Sequence, residues 1–184
     1  FVPEAFTGTR EHPDESREPG ALYAFPQQAI YAVGVAGVAL GIARAMLEAF
    51  TELAAEKTPR GLSRMAENAG VQAGVAKCEA RIGAARAYLL EMLNEITARA
   101  PRDRAIDIQD RARVRLATTN AIHGSIETAD WLYKNAGVNA IFPGSPYERR
   151  FRDIHTLSQQ IQSRDAHYEA VGSILLGNLP GVFY

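Results

Sequence analysis

Apolar residues recur along most of this chain with the period of a helix. The clearest run is Val71, Val75, Cys78, Ile82, Ala85, Leu89, Met92 and Ile96, separated by alternating steps of four and three. Such steps keep one seam facing a partner helix, as in a left-handed bundle. Ile122, Ile126, Ala129 and Tyr133 form a second seam, and Ile154, Leu157, Ile161 and Tyr168 a third. No useful stretch alternates with period two, so no sheet is expected. Pro and Gly divide the pattern into four helices, over roughly 26–57, 63–99, 104–135 and 146–176. Thr58-Pro59-Arg60-Gly61 ends the first, Ala100-Pro101 the second, Ala136-Gly137 the third, and Gly177 with Pro180 the fourth. Long helices with short connections pack antiparallel, so the predicted fold is all-α, an up-down-up-down four-helix bundle over 25–176. Residues 1–24 read as a linker holding a charged, Pro-rich loop from Thr7 to Gly20, and 177–184 as a C-terminal tail.

The first helix differs from the others. Ala29 to Ala43 carries no charge, and Gly34, Gly37 and Gly41 thin one side. The uncharged stretch is short of the ~20 residues that a membrane span needs, so no membrane partner is expected. A helix apolar on every side is expected to be buried on every side. Glycine faces let another backbone approach closely, which suits a central helix that also packs on a second copy of the chain. No strand precedes these glycines and their spacing is wrong for a dinucleotide-binding turn.

The last helix opens with Ser145-Pro146-Tyr147-Glu148, an S-x-x-E capping box with Pro at the first helical position. Glu148 with Arg152, and Arg149 with Asp153, stand one turn apart and are expected to pair. On an unbroken helix Asp153, Thr156, Gln160, Ser163 and His167 share one polar face, while His155 projects with Arg152, Gln159 and Gln162. One face is expected to meet solvent and the other to line a cleft.

Composition narrows the chemistry. Across 184 residues, 20 basic and 21 acidic side chains nearly cancel, and no basic block interleaves with aromatics. Nucleic acid is therefore not an expected partner. Cys78 is the single cysteine, which excludes an internal disulfide and fits a reducing cytoplasmic location. The chain opens Phe1-Val2-Pro3-Glu4 without an initiator Met or a signal peptide, and it is expected to be a piece of something longer. No Glu-x-x-His occurs at His12, His123, His155 or His167, so a di-metal bundle site is not expected. Cys78 lies on an apolar seam, and Ser63, Ser125 and Ser158 lack the strand-turn-helix setting of a nucleophile.

Ala136-Gly137-Val138-Asn139-Ala140-Ile141-Phe142, then Ser145-Pro146, then Phe151-Arg152-Asp153-Ile154-His155-Thr156 resembles the last helices of the acyl-CoA dehydrogenase superfamily. It is most similar to the flavin-dependent monooxygenase branch, which includes dibenzothiophene monooxygenase and the oxygenase component of p-hydroxyphenylacetate hydroxylase. The resemblance implies a three-domain flavoprotein in which an upstream β-domain hands over to this bundle near Phe1-Val2-Pro3-Glu4. It implies a flavin, FAD or FMN, shared with the upstream domains and a neighbouring subunit of a homodimer or homotetramer. It implies that Asn139 and Ala140 approach the flavin, and that Arg152 with Asp153 holds their loop to the start of the last helix.

The departures matter as much. Dehydrogenases of the family carry a Glu about eight residues after the R-D pair, where this chain has Gln160-Ile161-Gln162, or early in the first helix, where it has Pro26-Gln27-Gln28-Ala29. Abstraction of an α-proton needs a positioned base, and neither place offers one. The monooxygenases carry a His seven residues after the Asp, and here that residue is Gln160. His155, Gln160 and His167 are thus the catalytic candidates, and Asn139, Ala140 and Arg152 the cofactor-binding ones. A monooxygenase hydroxylating an aromatic or apolar substrate, with flavin from a separate reductase, is the favoured reading. A dehydrogenase with a displaced base and a non-catalytic interaction bundle remain as alternatives.

Overall fold

The computed structural model describes residues 1–7, 20–100 and 105–178. Most of the charged loop, His12, Pro101 and the tail beyond 178 lie outside the described residues. Five α-helices carry the fold: α1 Gln27–Glu56, α2 Ala69–Arg99, α3 Ile108–Ala136, α4 Glu148–Ser158 and α5 Ala166–Leu175. Short 3-10 turns join them, and no strand is present among the described residues. The all-α bundle is the one the periodicity predicts, with the fourth helix divided in two.

Local chemistry sets the helix starts. Asn68 accepts the N–H of Val71 at 3.1 Å and begins α2, later than expected because Met65–Glu67 closes a 3-10 turn first. Asp107 accepts the N–H of Asp110 at 2.9 Å and begins α3. Both are N-caps of the preferred residue types. The α2 seam points inward: Cys78, Ile82, Ala85, Leu89, Met92 and Ile96 are buried, and Val71 and Val75 pack at its edge. Burial raises the Cys78 thiol pKa above its ordinary range, which leaves it a small inert hydrophobe.

Helix α3 is the axle. It buries small residues along its length, Ala117, Thr118, Ala121, Ser125, Thr128 and Ala129 among them, so neighbours come close. Thr118, Ser125 and Thr128 return their hydroxyls to carbonyls one turn back, which lets polar residues sit in the core. Helix α1 runs parallel to α3. The Ile106 N–H meets Ala24 O at 2.9 Å at one end, and Lys57 Nζ meets Ala136 O at 3.0 Å at the other. Both α1 and α2 pack chiefly on α3 and much less on each other. They are therefore splayed, and grooves open on both sides of α1.

Within the single chain α1 is covered on one side, and the expected second copy on its other side is not part of this structure. Its inner face, with Ala32, Ala36, Ala39, Ala43, Met46 and Phe50, is fully buried. Its outer face is not: Ile30, Tyr31 and Val38 are exposed, and a Cβ added at Gly34, Gly37 or Gly41 would meet nothing within 4 Å. Length and composition alone would let α1 cross a membrane, yet its buried alanines, Met46 and Phe50 make it a core helix of the bundle.

The structure corrects the expectation for the last helix. The continuous helix expected over 146–176 stops at Ser158, makes a 3-10 turn at Ile161–Ser163, and restarts at Ala166. The register shifts with the break. Ile161, placed on the seam by periodicity, is exposed, while Gln162, Ser163 and His167 are buried. The five-residue polar face drawn on an unbroken helix does not exist.

Candidate functional site

An open trough runs between the outer face of α1 and the exposed side of α4. Its two connected parts enclose about 710 and 920 Å³ and share Val38, Ile42 and Asp153. One end has an apolar wall on α1, formed by Ile30, Tyr31, Gly34 and Val35, facing Thr156, Leu157 and Gln160. The other end passes the loop of Pro143 to Pro146 and meets Arg149, Arg150 and Arg152. The apolar wall exists because the splay of α1 leaves its outer face uncovered. The polar wall exists because α4 buries only Ile154.

Each arginine is tethered. Arg152 Nε donates to Glu148 Oε1 at 2.6 Å, Arg149 lies 3.6 Å from Asp153, and Arg150 donates to Pro146 O at 2.6 Å. Pairing with Glu148 pushes the Arg152 guanidinium pKa above its ordinary value. The expected i,i+4 pairs are therefore present, but the capping box is incomplete. Ser145 Oγ accepts the N–H of Tyr147 at 3.2 Å, and the Glu148 carboxylate turns to Arg152 instead of back to Ser145.

The same Ser145 hydroxyl donates to Asn139 O at 2.8 Å. It is thus Ser145 that ties the 137–140 turn to the start of α4, the task expected of Arg152 with Asp153. Asn139 is exposed, whereas the Ala140 side chain is fully buried, so any contact at 140 is made by backbone. Tyr147, just before α4, is buried with an unpartnered hydroxyl, and burial, with the Glu52 charge adding, pushes its pKa up to about 12.

Of the three catalytic candidates, the structure brings only Gln160 into the trough. His155 turns to α3, where Nε2 meets Asp130 Oδ1 at 2.8 Å and its ring packs on Phe151. His167 is buried, and its Nε2 donates to Ile161 O at 2.7 Å. Burial lowers its pKa, with the Arg115 charge adding to the effect.

Sequence reasoning missed a clamp at the α4–α5 break. Arg115, buried in α3, donates to the buried Gln162 Oε1, and His123 Nε2 donates to Ser163 O at 2.8 Å. Burial and the neighbouring Arg111 lower the Arg115 pKa to about 10, so it is charged at neutral pH. The sequence carries little signal for it, because Arg115 follows Arg111 and Arg113 in a charged start of α3 and only its flanking Val114 and Leu116 hint at burial.

Comparison with known proteins gives this geometry a context. The family described as acyl-CoA dehydrogenase, C-terminal domain, matches residues 33–164. An indole-3-acetate monooxygenase of Pseudomonas putida is 26% identical over 180 residues, covering 97% of this chain and 46% of that protein. Its counterpart in Acinetobacter baumannii is 24% identical over 185 residues, covering 100% of this chain and 47% of that protein. The chain thus spans about half the length of the relatives it matches. Among solved structures, XiaF from Streptomyces sp. in complex with FADH2 and glycerol superposes with a TM-score of 0.82 at 20% identity, over 95% of this chain and 45% of that one. The HsaA monooxygenase from M. tuberculosis gives a TM-score of 0.77 at 21% identity, over 88% of this chain and 42% of that one. At these identities the two superpositions establish the fold.

Proposed function

The chain belongs to the acyl-CoA dehydrogenase C-terminal domain family, and on that footing we propose that it is the helical part of a flavin-dependent monooxygenase hydroxylating an aromatic or similarly apolar substrate. The observation that carries this reading is the alignment of nearly the whole chain with indole-3-acetate monooxygenases. The trough supports it: an apolar wall opened by Gly34 faces the polar side chains of Thr156 and Gln160, a setting that suits a planar ring system. A flavin bound there supplies the redox chemistry that activates oxygen. The residues of this chain bind and orient: Tyr31 and Val35 pack on rings, Gln160 hydrogen-bonds, and the Asn139 turn, held by Ser145, borders the site. The rest of the enclosure, and the choice of FAD or FMN, fall to upstream segments and a neighbouring subunit covering the outer face of α1. Reduced flavin comes from a separate reductase in the cytoplasm.

Dehydrogenation of an acyl-CoA is the weaker reading, because Gln27, Gln28 and Gln160 are amides that cannot take an α-proton. Asp153 reaches the trough, but Arg149 stands beside it. The intact protein decides between them. Reduced flavin, labelled molecular oxygen and an indole or phenol should give a product carrying one labelled oxygen. Bleaching of bound flavin by acyl-CoA without oxygen would establish the dehydrogenase instead, and a protein that takes up neither FAD nor FMN would end both readings.

A further inference from the structure

Gln160 lines the trough beside Thr156 and Asp153, and its amide is held in one orientation. Its Oε1 accepts the N–H of Gln162 at 2.6 Å. A backbone N–H bonds only the oxygen end of an amide, so the NH2 is the end left for the trough. No acceptor among the described residues takes that NH2.

The orientation is locked from outside α4. Ile161 O is held by His167, the Gln162 side chain by Arg115, and Ser163 O by His123. Ser163 Oγ also donates to Leu157 O at 3.0 Å. The three residues that follow Gln160 are thus gripped one after another by α3 and α5. Across the trough, Gly34 leaves open space where a side chain would stand. Resting on the flavin reading above, we infer that Gln160 is a pre-set hydrogen-bond donor, and that the planar ligand in the trough presents an acceptor oxygen to it. That oxygen belongs either to a flavin ring carbonyl or to the phenolate or carbonyl of an aromatic substrate. A histidine or glutamate here would exchange a proton; this amide selects a ligand atom by hydrogen-bond polarity and leaves its proton in place.

The test uses the intact protein and two oxygen-bearing probes, FMN and 4-nitrophenolate. 4-Nitrotoluene is the control that keeps the ring and the weakly accepting nitro group and lacks only the phenolate oxygen. Gln160→Glu retains an oxygen for the Gln162 N–H and removes the donor. It is expected to weaken at least one oxygen-bearing probe about tenfold, the scale of one lost hydrogen bond. Binding of 4-nitrotoluene and the melting temperature should stay as in wild type. Gln160→Leu should weaken the same probe, which separates loss of the donor from repulsion by a carboxylate. Weakening of FMN alone puts the acceptor on the flavin, and weakening of 4-nitrophenolate alone puts it on the substrate. Unchanged affinity for both, or equal weakening of 4-nitrotoluene, overturns the inference. Failure of wild type to bind FMN would end the flavin reading alone, because 4-nitrophenolate against 4-nitrotoluene still decides the donor.

Discussion

His167 on α5 donates from Nε2 to the carbonyl of Ile161 at 2.7 Å, across the break that follows α4. In an unbroken helix that carbonyl would accept the N–H four residues on. An imidazole takes over the role, and the backbone is free to turn. The bond needs only a hydrogen on Nε2, which the charged ring also carries, but burial, followed by the Arg115 charge, outweighs it and lowers the pKa below the ordinary histidine value. The unfolded chain therefore binds more protons here than the folded one as pH falls below about 6.5. Stability from this site is full above that pH and declines as pH drops toward the folded pKa. Denaturant midpoints between pH 8 and 5 should show the acid-side decline, and His167→Gln, which keeps a donor but does not titrate, should flatten it.

Arg115 and Gln162 are both buried, so removing Arg115 takes away the donor to the Gln162 amide oxygen. Arg115→Leu should cost about 1–3 kcal/mol, the price of an unsatisfied buried polar group. The double variant with Gln162→Leu should cost less than the sum of the singles, by on the order of 1 kcal/mol. Strict additivity in urea unfolding would mean that the two side chains act independently.

The break also explains what the sequence could and could not reveal. The α2 seam was legible because its partners matter only as an apolar surface, and steps of four and three suffice to mark it. The α4–α5 turn was not legible, because residues 159–164 contain no Gly or Pro, the usual local signals. What holds the turn is Arg115 and His123, remote along the chain. Periodicity placed Ile161 inside for want of that information. The loop and ion pairs around Ser145–Asp153 were legible because they are local. That α1 keeps an open face was not, since an all-apolar helix looks the same whether the chain or another surface covers it.

Gly74 faces the Trp131 ring, and a Cβ there would fall inside the contact distance of Cζ2 and Cη2. Trp131 is itself packed edge-on to Phe50, with centroids 5.4 Å apart. Gly74→Ala should therefore destabilise by about 1–3 kcal/mol through overpacking, despite the gain of up to ~1 kcal/mol in helix propensity. Trp131 is the only tryptophan, so its fluorescence reports the ring's displacement in the folded state and the unfolding midpoint together.

Gly37 is the opposite case, with open space around it. Gly37→Leu should leave helix content by circular dichroism intact and raise the melting temperature of an isolated chain. If a second copy packs on this face, as proposed, the same change should shift the protein to smaller species in sedimentation velocity. An unchanged sedimentation coefficient would remove the Gly37 side of α1, which borders the groove toward α2, from the subunit contact.

A histidine at residue 160 would probe the lock between Gln160 and the Gln162 N–H. In Gln160→His, the ring nitrogen meeting the Gln162 N–H must accept, so the hydrogen stands on the other nitrogen and faces the trough. A neutral histidine would thus imitate the amide's polarity. Protonation, centred near about 6.5 for an unperturbed imidazole, turns both nitrogens into donors and sets one against the Gln162 N–H. The affinity of the variant for the probe that senses residue 160, taken as a ratio to wild type, should be flat above about pH 7 and fall below it. The ratio cancels titration of the probe itself. A ratio that rises as pH falls would mean that the trough rewards positive charge at residue 160, and that the Gln162 N–H does not set the orientation of this side chain.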